Sequence, residues 1–178
     1  MFKWLTNRSQ LSRIARELYG GVVAQARNRA FYSDLNVADT PEGRYELIAL
    51  HLILTLERLG QSDVADEPLR RATLEAFITD LDDAMREFGV GVDSVSKRVK
   101  RAAGGVHDRS LAYRAALAEA ANSALETALI KHVYQGRNTV LSQVLASYVR
   151  AAIAELSAQS ADALRQGIIT FPHPDRRS

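Results

Sequence analysis

Residues 39–60 read DTPEGRYELIALHLILTLERLG, and this stretch decides the fold. Thr40 can cap a helix, Pro41 suits the first helical position, and Glu42 favours the positive end of the helix dipole. Tyr45, Ile48, Leu52, Leu56 and Leu59 recur at helical spacing, and Leu47, Leu50, Ile53 and Leu54 make much of the remaining circumference apolar. A helix apolar on most sides belongs in the middle of a core. Gly60 ends it.

Helical periodicity continues on both sides of this stretch. Upstream, Leu11, Ile14, Leu18 and Val22 form one stripe of a helix predicted from about Ser9 to Asn28, with Gly20 and Gly21 as the expected kink. Downstream, Asp66-Glu67-Pro68 repeats the start signal, with Leu69, Ala76, Phe77, Leu81, Ala84 and Phe88 as the buried face before Gly89. After the turn Gly89-Val90-Gly91, Asp93 or Ser94 caps a helix beginning with Val95 and Val99, which Gly104-Gly105 is expected to bend or interrupt. Helix resumes through Leu111, Leu117, Leu125, Leu129 and Val133 to about Tyr134. It breaks over Gln135-Gly136-Arg137-Asn138, and Thr139 starts a last long helix with Leu145, Tyr148, Val149, Ala152 and Leu156 inward. A short helical piece from Ala161 to Gln166 precedes the tail. The expected fold is all-α, an irregular bundle of about six helices. A basic N-terminal arm (1–9) precedes a single helical domain (10–172) and a tail (173–178).

Composition narrows the function. The 178 residues are 47% hydrophobic and 25% charged, ordinary for a globular protein. With no cysteine, disulfide frameworks, thiolate zinc sites and cysteine nucleophiles are excluded. The longest apolar run, Leu47 to Leu56, falls well short of the roughly 20 residues of a membrane span, and the N-terminus lacks a secretory h-region. The expected location is the side of the membrane where the chain is made. Net charge is +2 but uneven: residues 1–30 hold six basic and one acidic residue, 31–90 five basic and thirteen acidic, and 91–110 five basic and two acidic. Basic segments flanking an acidic one either neutralise each other in the fold or present a surface to an anionic partner.

Catalytic patterns are weak. His51, His107, His132 and His173 lack carboxylate neighbours at metal-binding helix spacing, and no nucleophile elbow, phosphate loop or dinucleotide turn occurs. His51, on the most apolar helix, reads as a core histidine with both ring nitrogens hydrogen-bonded. Asp80, Asp82, Asp83 and Glu87 form an acidic cluster, but di-metal bundles need a Glu-x-x-His motif that is missing, so neither metal nor cofactor is expected. The cluster is a solvated face, or, with Arg86, a dock for a basic partner. Lys97, Arg98, Lys100 and Arg101 share one side of a helix, which fits contact with anionic lipid, RNA or an acidic protein face. Phe2, Lys3 and Trp4, beside further arginines, suit a membrane interface or a hydrophobic clasp on the domain.

Three stretches resemble the ubiquinol–cytochrome c chaperone family in its short bacterial form. They are Tyr19 to Tyr32, with Val-Ala-Gln-Ala-Arg-Asn at 23–28 and Phe31-Tyr32; Asp39 to Leu52; and Asp80 to Gly91, followed by Ser94 to Lys100. The chain departs from the expected pattern at Arg29, where proline is expected, at Ser96, where glycine is expected, and at Val106-His107-Asp108-Arg109, which replaces an aromatic-rich run. The resemblance implies a non-enzymatic assembly factor that stabilises newly made cytochrome b, peripheral on the cytoplasmic face of the inner membrane. It offers no catalytic residue to carry over and implies no cofactor and no DNA partner. Anionic lipid and the ribosome are further candidate partners. Asp82, Asp83, Arg86 and Arg44 are the candidate partner-binding residues; Phe2, Lys3, Trp4, Lys97, Arg98, Lys100 and Arg101 are the candidates for a membrane or other anionic partner. An RNA- or ribosome-binding helical module using residues 97–101 is the alternative.

Overall fold

The computed structural model describes residues 3–61, 64, 66–87, 92–137 and 140–174, and of these no residue is in a strand. The helices are α1 (Lys3–Ala26), α2 (Ala30–Ser33), α3 (Pro41–Leu59), α4 (Glu67–Glu87), α5 (Val92–Ala118), α6 (Ser123–His132), α7 (Leu141–Ala158) and α8 (Ala161–Arg165). Among the described residues, α2 and α8 are about one turn each and six helices are longer, in line with the bundle of about six expected.

The start of α3 follows from its local sequence. The Thr40 hydroxyl accepts from the Gly43 N–H at 3.2 Å, and Gly60 is the C-cap. Thirteen of its 19 residues are buried, and it packs against α1, α4, α5 and α7. That central position is what an all-round apolar helix requires. At the far end of α3, Leu59 joins Ala15, Leu18, Val64, Leu69 and Leu164 in a smaller second core. The start of α4 is also local, since Asp66 Oδ1 accepts from the Leu69 N–H at 3.1 Å.

Several expected boundaries move. α1 starts at Lys3 rather than Ser9, and it runs unbroken through Gly20-Gly21. At Gly21 a Cβ would collide with Ile169 Cγ2, so this glycine admits the C-terminal tail rather than bending the helix. α5 likewise runs unbroken through Gly104-Gly105. A Cβ on Gly105 would stand 2.9 Å from Arg109 Nη1 and 3.4 Å from the Tyr45 hydroxyl. That glycine serves the α3–α5 contact. Conversely, the helix expected from Leu111 to Tyr134 is cut over residues 119–122. There Arg150 of α7 donates to the carbonyls of Glu119 (2.7 Å) and Ala121 (3.3 Å) and to Asn122 Oδ1, partnering polar groups that a helix end leaves open. The expected Gly89-Val90-Gly91 turn, with Phe88, and residues Asn138 and Thr139 lie outside the described residues.

Candidate functional site

α3, α5 and α7 enclose an open groove of about 320 Å³. Ile53 and Leu54 of α3, Tyr113 and Leu117 of α5, and Ile153 and Leu156 of α7 give it apolar walls. α5 runs parallel to α3: Tyr45 donates to the Ala102 carbonyl at 3.0 Å near one end, and Arg114 pairs with Glu57 at 3.5 Å near the other. This register brings Tyr113 and Leu117 beside Ile53 and Leu54. The rim is polar. Arg58 is buried, and it donates to the carbonyls of Leu156 (2.7 Å) and Gln159 (2.8 Å) at the C-terminal end of α7, where the helix dipole favours a cation. The groove has room for a few side chains but not for a whole helix, whose diameter is about 10–12 Å. It suits an apolar segment lying across it and inserting side chains.

Two buried polar groups underlie this region. Arg109 makes a two-pronged ion pair with Glu46, Nε to Oε2 at 2.7 Å and Nη2 to Oε1, and also donates to the Gly105 carbonyl at 2.9 Å. Its guanidinium stands 5.5 Å from the Tyr45 ring centre. Glu46 raises the Arg109 pKa above the ordinary guanidinium value. Near this pair is the buried Tyr113, whose hydroxyl has no hydrogen-bond partner among the described residues. Burial, more than the Glu46 charge, pushes that phenol upward.

His51 is fully buried and sits in a relay. Its Nδ1 lies 2.7 Å from the Leu47 carbonyl, so Nδ1 carries the proton. Nε2 therefore accepts from the Tyr148 hydroxyl, 2.7 Å away, and that hydroxyl accepts from Gln25 Nε2 at 2.9 Å. Gln25 also donates to the Pro172 carbonyl at 2.8 Å, tying the C-terminal tail to the core. Phe31 and Phe171 meet the imidazole edge to face. With both ring nitrogens occupied, His51 is the core histidine expected from its position. Burial lowers its pKa to about 4.

The residues singled out in the sequence lie elsewhere. Asp82 and Arg86 form an exposed pair at 2.7 Å, one helical turn apart, and Asp83 is exposed beside them. Asp80 accepts from the Tyr19 hydroxyl at 2.8 Å. No group of residues among those described could hold a metal ion. Arg44 pairs with Asp39 at 2.7 Å at the start of α3. Tyr19 lies 6.2 Å and Tyr45 6.3 Å from Phe77, ring centre to ring centre, which puts the start of α3 and the acidic end of α4 at one end of the bundle. Lys97, Lys100 and Arg101 are exposed on the first turns of α5, at the same end. Phe2 and the side chains of Lys3, Trp4 and Arg98 lie outside the described residues. The start of α1 is not at that end, because Ala15 and Leu18 pack with Leu59, and the helix leads away from there toward Lys3. The structure therefore does not bring the two basic elements together. Sequence reasoning called for an apolar groove between helices without locating it, and missed the parts played by Arg109 and Tyr113. The one available signal was Glu46, an acid set among apolar residues.

Among the described residues, no helix is long and apolar enough to cross a membrane. A family profile described as ubiquinol-cytochrome C chaperone matches residues 33–171. The crystal structure of the Cbp3 homolog from Brucella abortus is similar over 99% of both chains, with a TM-score of 0.85 and 32% identity. No curated protein matches the chain. The helical architecture agrees with that neighbour along its whole length, and the profile spans most of the sequence, from α2 to the strapped tail; the chain belongs to the ubiquinol–cytochrome c chaperone family.

Proposed function

We propose that this protein is an assembly chaperone of the ubiquinol–cytochrome c reductase (bc) complex that holds an apolar segment of newly made cytochrome b in the α3–α5–α7 groove. The observation that carries this is an open apolar groove with a polar rim in a chain of the chaperone family. A multi-span membrane protein exposes apolar side chains until its partners arrive. A groove that covers a few at a time shields them while leaving release easy. Asp82, Asp83, Arg86 and Arg44, at the α3–α4 end, are the proposed contact for a protein partner. Lys97, Arg98, Lys100 and Arg101 are the proposed contact for an anionic surface. The proposed place of action is the cytoplasmic face of the inner membrane, without catalysis.

Deleting the gene is expected to lower spectroscopic cytochrome b and quinol–cytochrome c reductase activity while other respiratory complexes persist. Wild-type protein restores both. Leu117→Glu, which sets a charge in the groove, is expected to restore less than about a tenth of the activity although the protein accumulates folded. Normal cytochrome b in the deletion strain contradicts the function. Full rescue by Leu117→Glu contradicts the groove alone.

A further inference from the structure

Behind the start of α3 lies a second depression, of about 730 Å³, lined by Arg27, Arg29, Tyr32, Ser33, Asp39 and Arg44. Three arginines and one aspartate are among its lining residues. Much of the wall is fixed. Arg44 is held by Asp39 at 2.7 Å, the Tyr32 hydroxyl donates to the Ala26 carbonyl at 2.7 Å, and the Ser33 hydroxyl donates to Asp34 Oδ1 at 2.7 Å, with the Arg29 carbonyl 3.2 Å away. Arg27 and Arg29 are different. Both are exposed, and neither side chain has an ion-pair or hydrogen-bond partner among the described residues. Two arginines 2 residues apart, with no partner of their own among the described residues, are free to turn to an anion in the depression.

We propose that this depression is a phosphate-binding site, with Arg27 and Arg29 supplying the free forks and Arg44 the fixed charge. Planar guanidinium groups match the oxygens of a phosphate by paired N–H donors, and a multiply charged anion suits a site with more than one arginine. Asp39 is already engaged by Arg44, so it repels the ligand less than a free carboxylate would. The site rests on the side chains lining the depression and does not depend on the chaperone reading. The phosphate can belong to a lipid headgroup or to a soluble phosphate compound.

The test uses the full chain with two probes, inorganic pyrophosphate by calorimetry and flotation with vesicles of phosphatidylcholine with or without phosphatidylglycerol. Arg27→Gln with Arg29→Gln is compared with Arg16→Gln with Lys131→Gln, which removes the same charge from exposed positions on α1 and α6. All four side chains are exposed, so both variants are expected to keep the wild-type melting curve. The Arg27/Arg29 variant is expected to lose binding by about tenfold or more, and the Arg16/Lys131 variant by less than about twofold. Pyrophosphate binding without flotation identifies a soluble ligand; flotation restricted to phosphatidylglycerol identifies a lipid headgroup. Either supports the site. Wild-type protein that binds neither probe, or equal losses in the two variants, overturns it.

Discussion

Replacing Arg109 with alanine is expected to lower the unfolding free energy by about 3–5 kcal/mol, the largest effect of any single polar substitution in the bundle. Arg109 and Glu46 are a buried pair joining α5 to α3, with side chains 18% and 9% exposed. Removing the guanidinium leaves the Glu46 carboxylate buried without its countercharge. It also removes the donor to the Gly105 carbonyl and the cation over the Tyr45 ring. The pair is compared with an uncharged replacement by changing both partners, Glu46→Gln with Arg109→Met. Because no charge is then left buried, the double change is expected to cost clearly less than Arg109→Ala. Urea unfolding measures both. A cost under about 1 kcal/mol for Arg109→Ala would show that the pair behaves as a surface ion pair.

The second large effect is an acid sensitivity set by His51. Above pH 6.5 the imidazole is neutral in the folded and unfolded chain, and its protonation contributes nothing. Burial holds its folded pKa at about 4, below the ordinary 6.5. As pH falls from 6.5 toward 4, the unfolded chain takes up a proton that the folded chain refuses, and stability is lost. Below about 4 both states bind the proton and the loss levels off. The expected loss is about 2.5 kcal/mol at pH 4.5. Carboxylates and His132, whose pKa burial also lowers, titrate in the same range, so the informative quantity is a difference. Urea unfolding of wild type and His51→Gln between pH 7 and 4.5 isolates it. The glutamine variant is expected to be the less stable at pH 7, where the Tyr148 relay is disturbed, and to lose about 2.5 kcal/mol less on acidification. Parallel pH profiles would mean that His51 is not buried as a neutral ring.

How far the sequence could be read depended on whether each feature is local. The starts of α3 and α4 were legible because Thr40-Pro41 and Asp66-Glu67-Pro68 act on their own first turns. The place of His51 was legible because its helix is apolar around most of its circumference. The break at 119–122 was not, since nothing in Glu119-Ala120-Ala121-Asn122 opposes helix strongly; the partner that supports the break, Arg150, arrives 28 residues after Asn122. Gly21 and Gly105 look like interruptions when read locally. Each is explained only by what packs against it, Ile169 from the tail and Tyr45 with Arg109 at the α3–α5 contact. The groove and the Glu46–Arg109 pair, 63 residues apart, are products of helix packing and have no local signature. Family resemblance was legible in polar runs such as Asp80 to Arg86, which core packing alone does not demand.

The claim that cytochrome b is held in the α3–α5–α7 groove is tested most directly by placing a photoreactive amino acid at Leu117, which lines the groove, and at Glu75, exposed on α4. Cells making cytochrome b are irradiated and the adducts identified. The account predicts a cytochrome b adduct from position 117 and none from position 75. No cytochrome b adduct from position 117, or equal adducts from both positions, would contradict it.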